Sequence, residues 1–511
     1  MASPTILIIL KARVDNSMNT SGRTIAKNIS SLMVAQIITW VFATILAIFM
    51  PRYLGAVNIG KLHLANSIWG IMTVVIGFGT EILLTKEIAR TPAKTGELVG
   101  TSNVVRTILF IISLGMVAIY TNLAGYAQDT ALIIYVLGIS ILIYQIAGSF
   151  QAALQGLERM EYFSLSDVLS KGVMAVVTIA LLVMGYGVLE VALIGILGGL
   201  IAWGVQYYAV RRYQPLAFRF NWSKAVWMLK AGFPYLLVSG FLIIYSQLDV
   251  IILSLILNEE SIGWYGTANR LFGTLLFVPT VFITAVFPAL SRLYSEGSNH
   301  LAKLMQKSFD LLFLLSVPIG LGIFVIAPQI VVLLYGSEFA NSGPILAYLG
   351  IVLIFIYQNI LIGRYLISVD RQNTWTIIMA IAMIVTIPLD LILVPWCETR
   401  FGNGALGGAL SYILTEGGML VAGILLMPRG TLGRQNAWLA MRVVLAGIVM
   451  AVVVWLVREQ FILIPIGIGG ITYLGMILIL RVIPKEDWAL LRTILQSVLA
   501  RFRKPQPEVP V

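Results

Sequence analysis

Charge is scarce in this chain. Charged residues make up 11% of its 511 positions, under half of the roughly 25% usual in soluble proteins. Apolar residues make up 59%, and mean hydropathy is +0.93. So few charged side chains cannot cover so much apolar surface, which excludes a soluble globular enzyme. A single cysteine, Cys397, excludes an internal disulfide framework and any cysteine-based zinc site. Two histidines, His63 and His300, leave little for histidine-dependent metal or acid–base chemistry. The sequence names no catalytic residue, no metal ligand set and no cofactor. Ten-residue strand alternation is also missing, which argues against a β-barrel.

Long apolar runs are what the chain does have. A helix needs about 20 apolar residues to cross roughly 30 Å of hydrocarbon. Fourteen segments meet that length, at about 29–50, 63–84, 104–123, 131–154, 168–186, 188–209, 232–257, 263–290, 308–327, 344–367, 374–396, 404–427, 436–457 and 461–482. The fold class expected is therefore an all-α membrane protein with about 14 transmembrane helices. The run Ile6 to Leu10 is too short for a signal-peptide core, and Lys11 and Arg13 end it. Residues 1–17 read as a disordered tail or an over-long start, since Met18 would serve as an initiator.

Lysine and arginine set the orientation. With the N-terminus inside, the inner loops, their flanks and both tails hold 29 of the 34 basic residues. The outer loops hold Arg52, Lys61, Arg400 and Arg458, and Arg270 lies inside a span. Both termini are thus expected in the cytoplasm of a cell-membrane (inner-membrane) protein. The net charge of +11 is a topology signal, and no nucleic-acid partner is implied. The stretch Pro484–Lys504 mixes Trp488, Leu491 and Leu499 with Lys485, Arg492 and Arg501. That pattern fits a helix lying on the inner interface beside membrane lipids.

An internal repeat organises the spans. Residues 59–70 (IGKLHLANSIWG) and 262–273 (IGWYGTANRLFG) share I-G-x4-A-N-x3-G at an offset of 203 residues. Leu137-Gly138-Ile139 echoes Leu349-Gly350-Ile351 at offset 212, and Glu158-Arg159 echoes Asp370-Arg371 at the same offset. Matching spans lie six apart, so the copies cross in the same direction and the repeat is parallel. The expected organisation is a tail (1–28), a six-helix bundle (29–209), a basic linker (210–231) and a second six-helix bundle (232–427). Two further spans (436–482) and an amphipathic tail (483–511) follow.

Segment 51–90, PRYLGAVNIGKLHLANSIWGIMTVVIGFGTEILLTKEIAR, resembles the second-span signature of the polysaccharide-transporter family. That family comprises Wzx-like flippases of lipid-linked oligosaccharides. Its superfamily also holds multidrug/toxin extruders and lipid II flippases. Leu248-Asp249-Val250, IGWYGTANRL from Ile262 and LLYGSEF at 333–339 fit as well, so the resemblance spans Ile25 to Val482. It implies two six-helix bundles around a central cleft opened alternately to each side. Fourteen spans suit the oligosaccharide branch better than the twelve usual in multidrug extruders.

Ionisable groups within spans are costly, so each is a functional candidate. Asp249 and Arg270 sit at matching depth on consecutive spans, roughly 12–13 Å below the outer turn. An ion pair between them is expected, either as a lock between helices or as part of the cavity. A free Arg270 would suit a diphosphate or acidic sugar, because guanidinium binds such oxygens bidentately. Asn66 and Asn269, the repeated amides, either face the cleft or bond between helices, and Gln247 completes the candidate cavity set. Glu416, near the midplane with no charged neighbour in sequence, and the shallower Asp390 are the ion-coupling candidates, for a proton or a sodium ion. The alternative for Glu416 is a hydrogen-bonded carboxyl packing beside Gly417 and Gly418. Glu81, Asp310 and Arg364 lie near inner ends, where snorkelling accounts for them. Pro234, Pro279, Pro288, Pro318 and Pro388 are expected to break helices of the second half, while the first six spans hold no internal proline.

The reading that best fits these features is a transporter flipping a lipid-linked oligosaccharide, of the polyprenyl-diphosphate type, to the outer leaflet for surface polysaccharide export. Polysaccharide-assembly proteins are candidate partners. The first alternative is a multidrug or small-molecule exporter of the same superfamily. A membrane-embedded glycosyltransferase or polymerase is disfavoured, because the outer loops are short and carry no catalytic constellation.

Overall fold

The computed structural model describes residues 4–215, 220–298 and 300–482, apart from the side chains of 4–33, 238, 239, 242 and 285. The interfacial helix expected within 483–511 lies outside these residues. All regular structure among the described residues is helical. The elements are α1 (Pro4–Gly77), α2 (Thr80–Arg90), α3 (Thr95–Ala124), α4 (Gln128–Gly156), α5 (Met160–Val183), α6 (Val188–Tyr213), α7 (Trp222–Ile256) and α8 (Glu259–Leu275). They continue as α9 (Phe277–Ser295), α10 (His300–Tyr335), α11 (Ser342–Ser368), α12 (Gln372–Phe401), α13 (Ala405–Leu426), α14 (Arg434–Leu456) and α15 (Leu463–Ile479). Eleven helical stretches are long and apolar enough to span a membrane, and Ile243–Ile256 and Leu463–Ile479 are shorter apolar helices. One stretch, Val34–Arg90, carries the first two expected spans across a kink, so the sequence count of fourteen is accounted for.

That kink is at Gly55, whose φ of 76° and ψ of 169° no side-chain-bearing residue adopts at low cost. The next amide, Ala56 N, donates to Glu338 Oε1 at 2.7 Å instead of to its own helix. The helix already runs from Pro4, so the tail expected to be disordered is helical from that point.

Two breaks interrupt the expected spans. In the first half, α1 gives way to α2 at Phe78 (φ 44°) and Gly79 (φ 65°), without any proline. A Cβ on Gly79 would lie 2.5 Å from the Gly232 carbonyl, and one on Gly232 would lie 2.5 Å from the Phe78 carbonyl. Close backbone contact with α7 thus fixes this bend. In the second half, α8 and α9 part at Leu276, where Pro279 cannot bond to the Leu275 carbonyl. Pro234, Pro288, Pro318 and Pro388 stay inside α7, α9, α10 and α12 and break none of them. Of the five prolines expected to break helices, only Pro279 stands at a break.

The chain divides into two compact units, one of Met1–Leu275, Val331–Ile345 and Thr376–Thr415, the other of Leu276–Ile330, Leu346–Trp375 and Glu416–Val511. The first unit buries Leu84, Ile88, Val99, Phe150, Leu154 and Met228 in a common core. The second packs Met450 of α14 and Tyr473 of α15 against Val317 of α10, with the Tyr473 hydroxyl donating to the Leu314 carbonyl at 2.8 Å. Their outer faces stay apolar, with Ile471 74% exposed. This is the pattern of a helix bounded by lipid.

The repeat is visible in the backbone. Glu158 and Asp370, at offset 212, both take positive φ, 59° and 60°. The amide after each closes the same helix end, Arg159 N on Leu154 O and Arg371 N on Leu366 O, both at 2.8 Å. These are equivalent C-terminal caps of α4 and α11. The copies at offset 203 meet directly within the first unit. A Cβ on Gly60 would lie 1.8 Å from Glu259 O, and one on Gly263 would lie 1.9 Å from Ala56 O. Glu259 and Ala56 are themselves 203 residues apart. The crossing of α1 and α8 is therefore reciprocal, and only glycine at both positions lets the helices approach so closely.

Candidate functional site

Beside that crossing, α1 and α8 present a polar face. Gly266 leaves room for the His63 ring, whose Cγ would lie 2.7 Å from a Cβ there. One turn further along α8, Arg270 has an accessible side chain that is nonetheless closely surrounded by protein. Its guanidinium lies 3.7 Å from Met50 Sδ and within electrostatic reach of His63 and the Tyr335 hydroxyl. It forms no ion pair among the described residues. His63 Nε2 and the Tyr335 hydroxyl are both buried without a hydrogen-bond partner. Two unsatisfied polar atoms thus lie beside a guanidinium whose hydrogen-bond acceptor among the described residues is a thioether sulfur.

Along α1, His63, Asn66 and Gly70 lie on one face at helical spacing. Gly70 packs against Gln247, whose Cγ would lie 3.1 Å from a Cβ there. Asn66 is exposed and donates to Leu62 O at 2.7 Å, within its own helix. Asn269 is half-buried and makes no side-chain hydrogen bond among the described residues. Neither repeated amide bonds between helices, so that alternative is set aside.

The expected Asp249–Arg270 ion pair is not formed. Tyr265, five residues before Arg270, donates its hydroxyl to Asp249 Oδ2 at 3.4 Å. Five residues turn a helix by about 140° beyond a full revolution, so Tyr265 and Arg270 face different ways. Equal depth placed the pair correctly along the membrane normal but said nothing about direction around the helix.

Asp249 instead belongs to a second polar cluster. Asp390 of α12 is fully buried, and both its carboxylate oxygens lack a hydrogen-bond partner. Asp249 and Tyr265 are its electrostatic neighbours, and the Ser411 hydroxyl is the side-chain donor that approaches it. Ser411 Oγ and Thr386 Oγ1 are also buried without partners, and Thr386 is one turn before Asp390 on the same face. Two carboxylates and two hydroxyls form an all-oxygen donor set suited to a hard cation or a proton.

Glu416, in the second unit, differs. It is buried, and Asn359 Nδ2 donates to its Oε2 at 2.6 Å and to its backbone carbonyl at 2.9 Å. A Cβ on Gly417 would lie 3.7 Å from the Phe355 ring. The hydrogen-bonded alternative describes it better than isolation does.

Sequence reasoning missed two ionic devices. Arg106, set among the inner-loop charges, is fully buried in the first unit. It donates to the Gln145 carbonyl and to Thr80 Oγ1, at 3.0 Å for the latter, and lies 3.6 Å from Glu81. Glu81 is therefore paired rather than only snorkelling. Asp310 accepts from Asn436 Nδ2 at 2.8 Å, and Arg364 sits 6.0 Å from the Phe287 ring centre. The other device joins both copies of the repeat. Lys61, 8% exposed, bonds Asp129 and lies 3.5 Å from Glu259, which also accepts from Thr130. Its spacing gave no signal, since the partners are 68 and 198 residues away in sequence.

A bundle of apolar helices with buried, unpartnered polar clusters defines a multi-pass membrane transporter. The fold matches that of a lipid II flippase in an inward closed conformation, with TM-score 0.69 over 89% of this chain and 99% of that one at 15% identity. It also matches an inward-facing multidrug resistance MATE transporter, with TM-score 0.64 over 77% and 96% at 16% identity. Residues 25–294 match the family described as polysaccharide biosynthesis protein, and residues 234–392 match that described as MatE. The chain belongs to the polysaccharide biosynthesis protein family, a family of transporters rather than enzymes. A probable low-salt glycan biosynthesis flippase of Haloferax volcanii is 25% identical over 71% of this chain and 76% of that protein. A succinoglycan biosynthesis transport protein of Rhizobium meliloti is 22% identical over 66% and 68%.

Proposed function

We propose that this protein flips a lipid-linked oligosaccharide, of the polyprenyl-diphosphate type, from the cytoplasmic to the outer leaflet by alternating access. The observation that carries the reading is Arg270, accessible, without an ion pair, and beside the unpartnered His63 Nε2 and Tyr335 hydroxyl. Guanidinium matches diphosphate oxygens bidentately, and the two other groups suit phosphate or sugar hydroxyls. Asn66, Asn269 and Gln247 extend this face towards the glycan. The polyprenyl tail stays in lipid while the head group crosses. The relatives named for glycan and succinoglycan biosynthesis support the cargo class.

The charge bias along the sequence favours cytoplasmic termini, which makes the Lys61 end the outer one. There the Gly60–Gly263 crossing and the Lys61–Asp129–Glu259 cluster tie the two copies together, as an outer gate in its closed position. Opening it requires separating Lys61 from Glu259. Cation or proton binding between Asp249 and Asp390 supplies the coupling, ahead of Glu416, because Asp390 has no donor bonded to it as closely as Asn359 is to Glu416.

The test is reconstitution into vesicles with a fluorescent polyprenyl-diphosphate glycan whose leaflet is read by quenching. Arg270→Gln should lower transport at least about tenfold, the loss of one charge-assisted contact of ~1.5–3 kcal/mol. Arg270→Lys should recover only part, since a point charge replaces the fork. Unchanged transport by Arg270→Gln would remove the diphosphate role.

A further inference from the structure

A groove of about 540 Å³ lies in the first unit between α3, α4 and α6, within the roughly 300–1,000 Å³ range of ligand pockets. Gly100 contributes no side chain to its lining, and Phe150, Trp203, Tyr207 and Phe220 supply aromatic walls. Phe150 meets Tyr207 edge-on, with ring centres 5.8 Å apart, which holds both rings in place. Asn103 lines the groove too, and its Oδ1 is buried without a hydrogen-bond partner.

The end of α6, one turn beyond the groove's Tyr207, is cationic. Trp203, Tyr207 and Arg211 recur every four residues on α6 and so form one stripe. Arg211 and Arg212 close that helix, are exposed, and make no ion pair among the described residues. Phe220 and Trp222 stand beside each other with ring centres 6.1 Å apart and are 47% and 67% exposed. Exposed aromatic rings next to basic residues mark the membrane–water boundary. A largely apolar groove with Arg211 one turn beyond its Tyr207 wall and Arg212 next to it matches one kind of occupant by charge and by polarity.

We propose that this groove seats one apolar chain of an anionic membrane phospholipid, with its phosphate held at Arg211 and Arg212. The unsatisfied Asn103 Oδ1 then receives a donor from the lipid's glycerol or head group. None of the groove residues belongs to the Arg270 face or the Asp390 cluster, so the site is separate from the cargo and ion sites. Phe220 lies in the 210–231 segment that joins the two copies of the repeat. A bound lipid therefore adds a contact between Phe220 and the first copy that depends on membrane composition.

The test uses the full-length protein in phosphatidylcholine vesicles carrying a trace of photoactivatable phosphatidylglycerol. Peptides of α3 and α6 should be labelled, and unlabelled phosphatidylglycerol should compete where added phosphatidylcholine does not. Arg211→Gln and Arg212→Gln should each weaken that competition about fivefold, from ~1 kcal/mol per basic residue at an anionic surface. Val104→Trp, which fills the groove, should abolish the label. Should that variant fail to fold, the exposed arginine pair carries the test alone. Equal competition by the two lipids, or labelling indifferent to the arginine changes, would overturn the proposal. Stronger competition by a polyprenyl diphosphate than by phosphatidylglycerol would also overturn it, by giving the groove to the cargo's tail.

Discussion

Asp390 and Glu416 are both carboxyls buried inside spans, yet the protein treats them in opposite ways. Glu416 accepts from Asn359 Nδ2 at 2.6 Å, so its burial is compensated by a side chain of the neighbouring helix. Asp390 has two unsatisfied oxygens with a second carboxylate, Asp249, as an electrostatic neighbour. A buried polar group without partners costs about 1–3 kcal/mol, more when charged. A fold keeps such a cost where something outside the chain removes it. The contrast is between a carboxyl bonded to a neighbouring helix and one without such a bond, which is the one proposed above for ion coupling.

The largest expected effect tests the ion side of this contrast. Asp390→Asn should abolish the dependence of transport on a sodium or proton gradient, lowering driven transport at least about tenfold, or ~1.4 kcal/mol of coupling. Glu416→Gln, measured in the same vesicles, should keep that dependence. The reverse outcome would transfer the coupling role to Glu416. Next come opposite effects on stability. Glu416→Leu strands the Asn359 amide and should cost about 1–3 kcal/mol in a detergent melt. Asp390→Leu removes an uncompensated group and should melt unchanged or higher. Equal losses would mean that Asp390 is as well satisfied as Glu416. The smallest effect is a graded one. Thr386→Val removes one hydroxyl oxygen and should weaken cation dependence severalfold without abolishing it, read from a sodium titration of transport. A shift as large as that of Asp390→Asn would make the hydroxyl a principal ligand.

Much of the architecture was legible because the bilayer imposes it. Spans follow from apolar length, and the repeat followed from five identities that turn out to include the Gly60–Gly263 crossing. Contacts around a helix axis were not legible. Asp249 and Arg270 matched in depth, but the 140° between positions 265 and 270 sent them to separate clusters. Glu416 is isolated among its sequence neighbours, whereas its partner Asn359 is 57 residues away. Arg106 looked like a loop charge because it stands at the edge of an apolar run. Its burial depends on Thr80 and Gln145, contributed by other helices. The break at Phe78–Gly79 carries no proline signal, because a glycine held against the α7 backbone does the same.

The Gly60–Gly263 crossing has a consequence for how such a chain could arise. Each copy offers the other a glycine and, four residues earlier, a carbonyl, so the surface is complementary to itself. That is the property of an isologous contact, in which two identical subunits meet across a two-fold axis. Because both copies cross the membrane in the same direction, two separate half-length chains inserted alike would already be oriented to meet by this surface. Duplication and fusion then needs no new interface. It needs a joining segment, and afterwards it frees each copy to diverge, as Lys61 and Glu259 have, standing opposite Trp264 and Ala56 in the repeat.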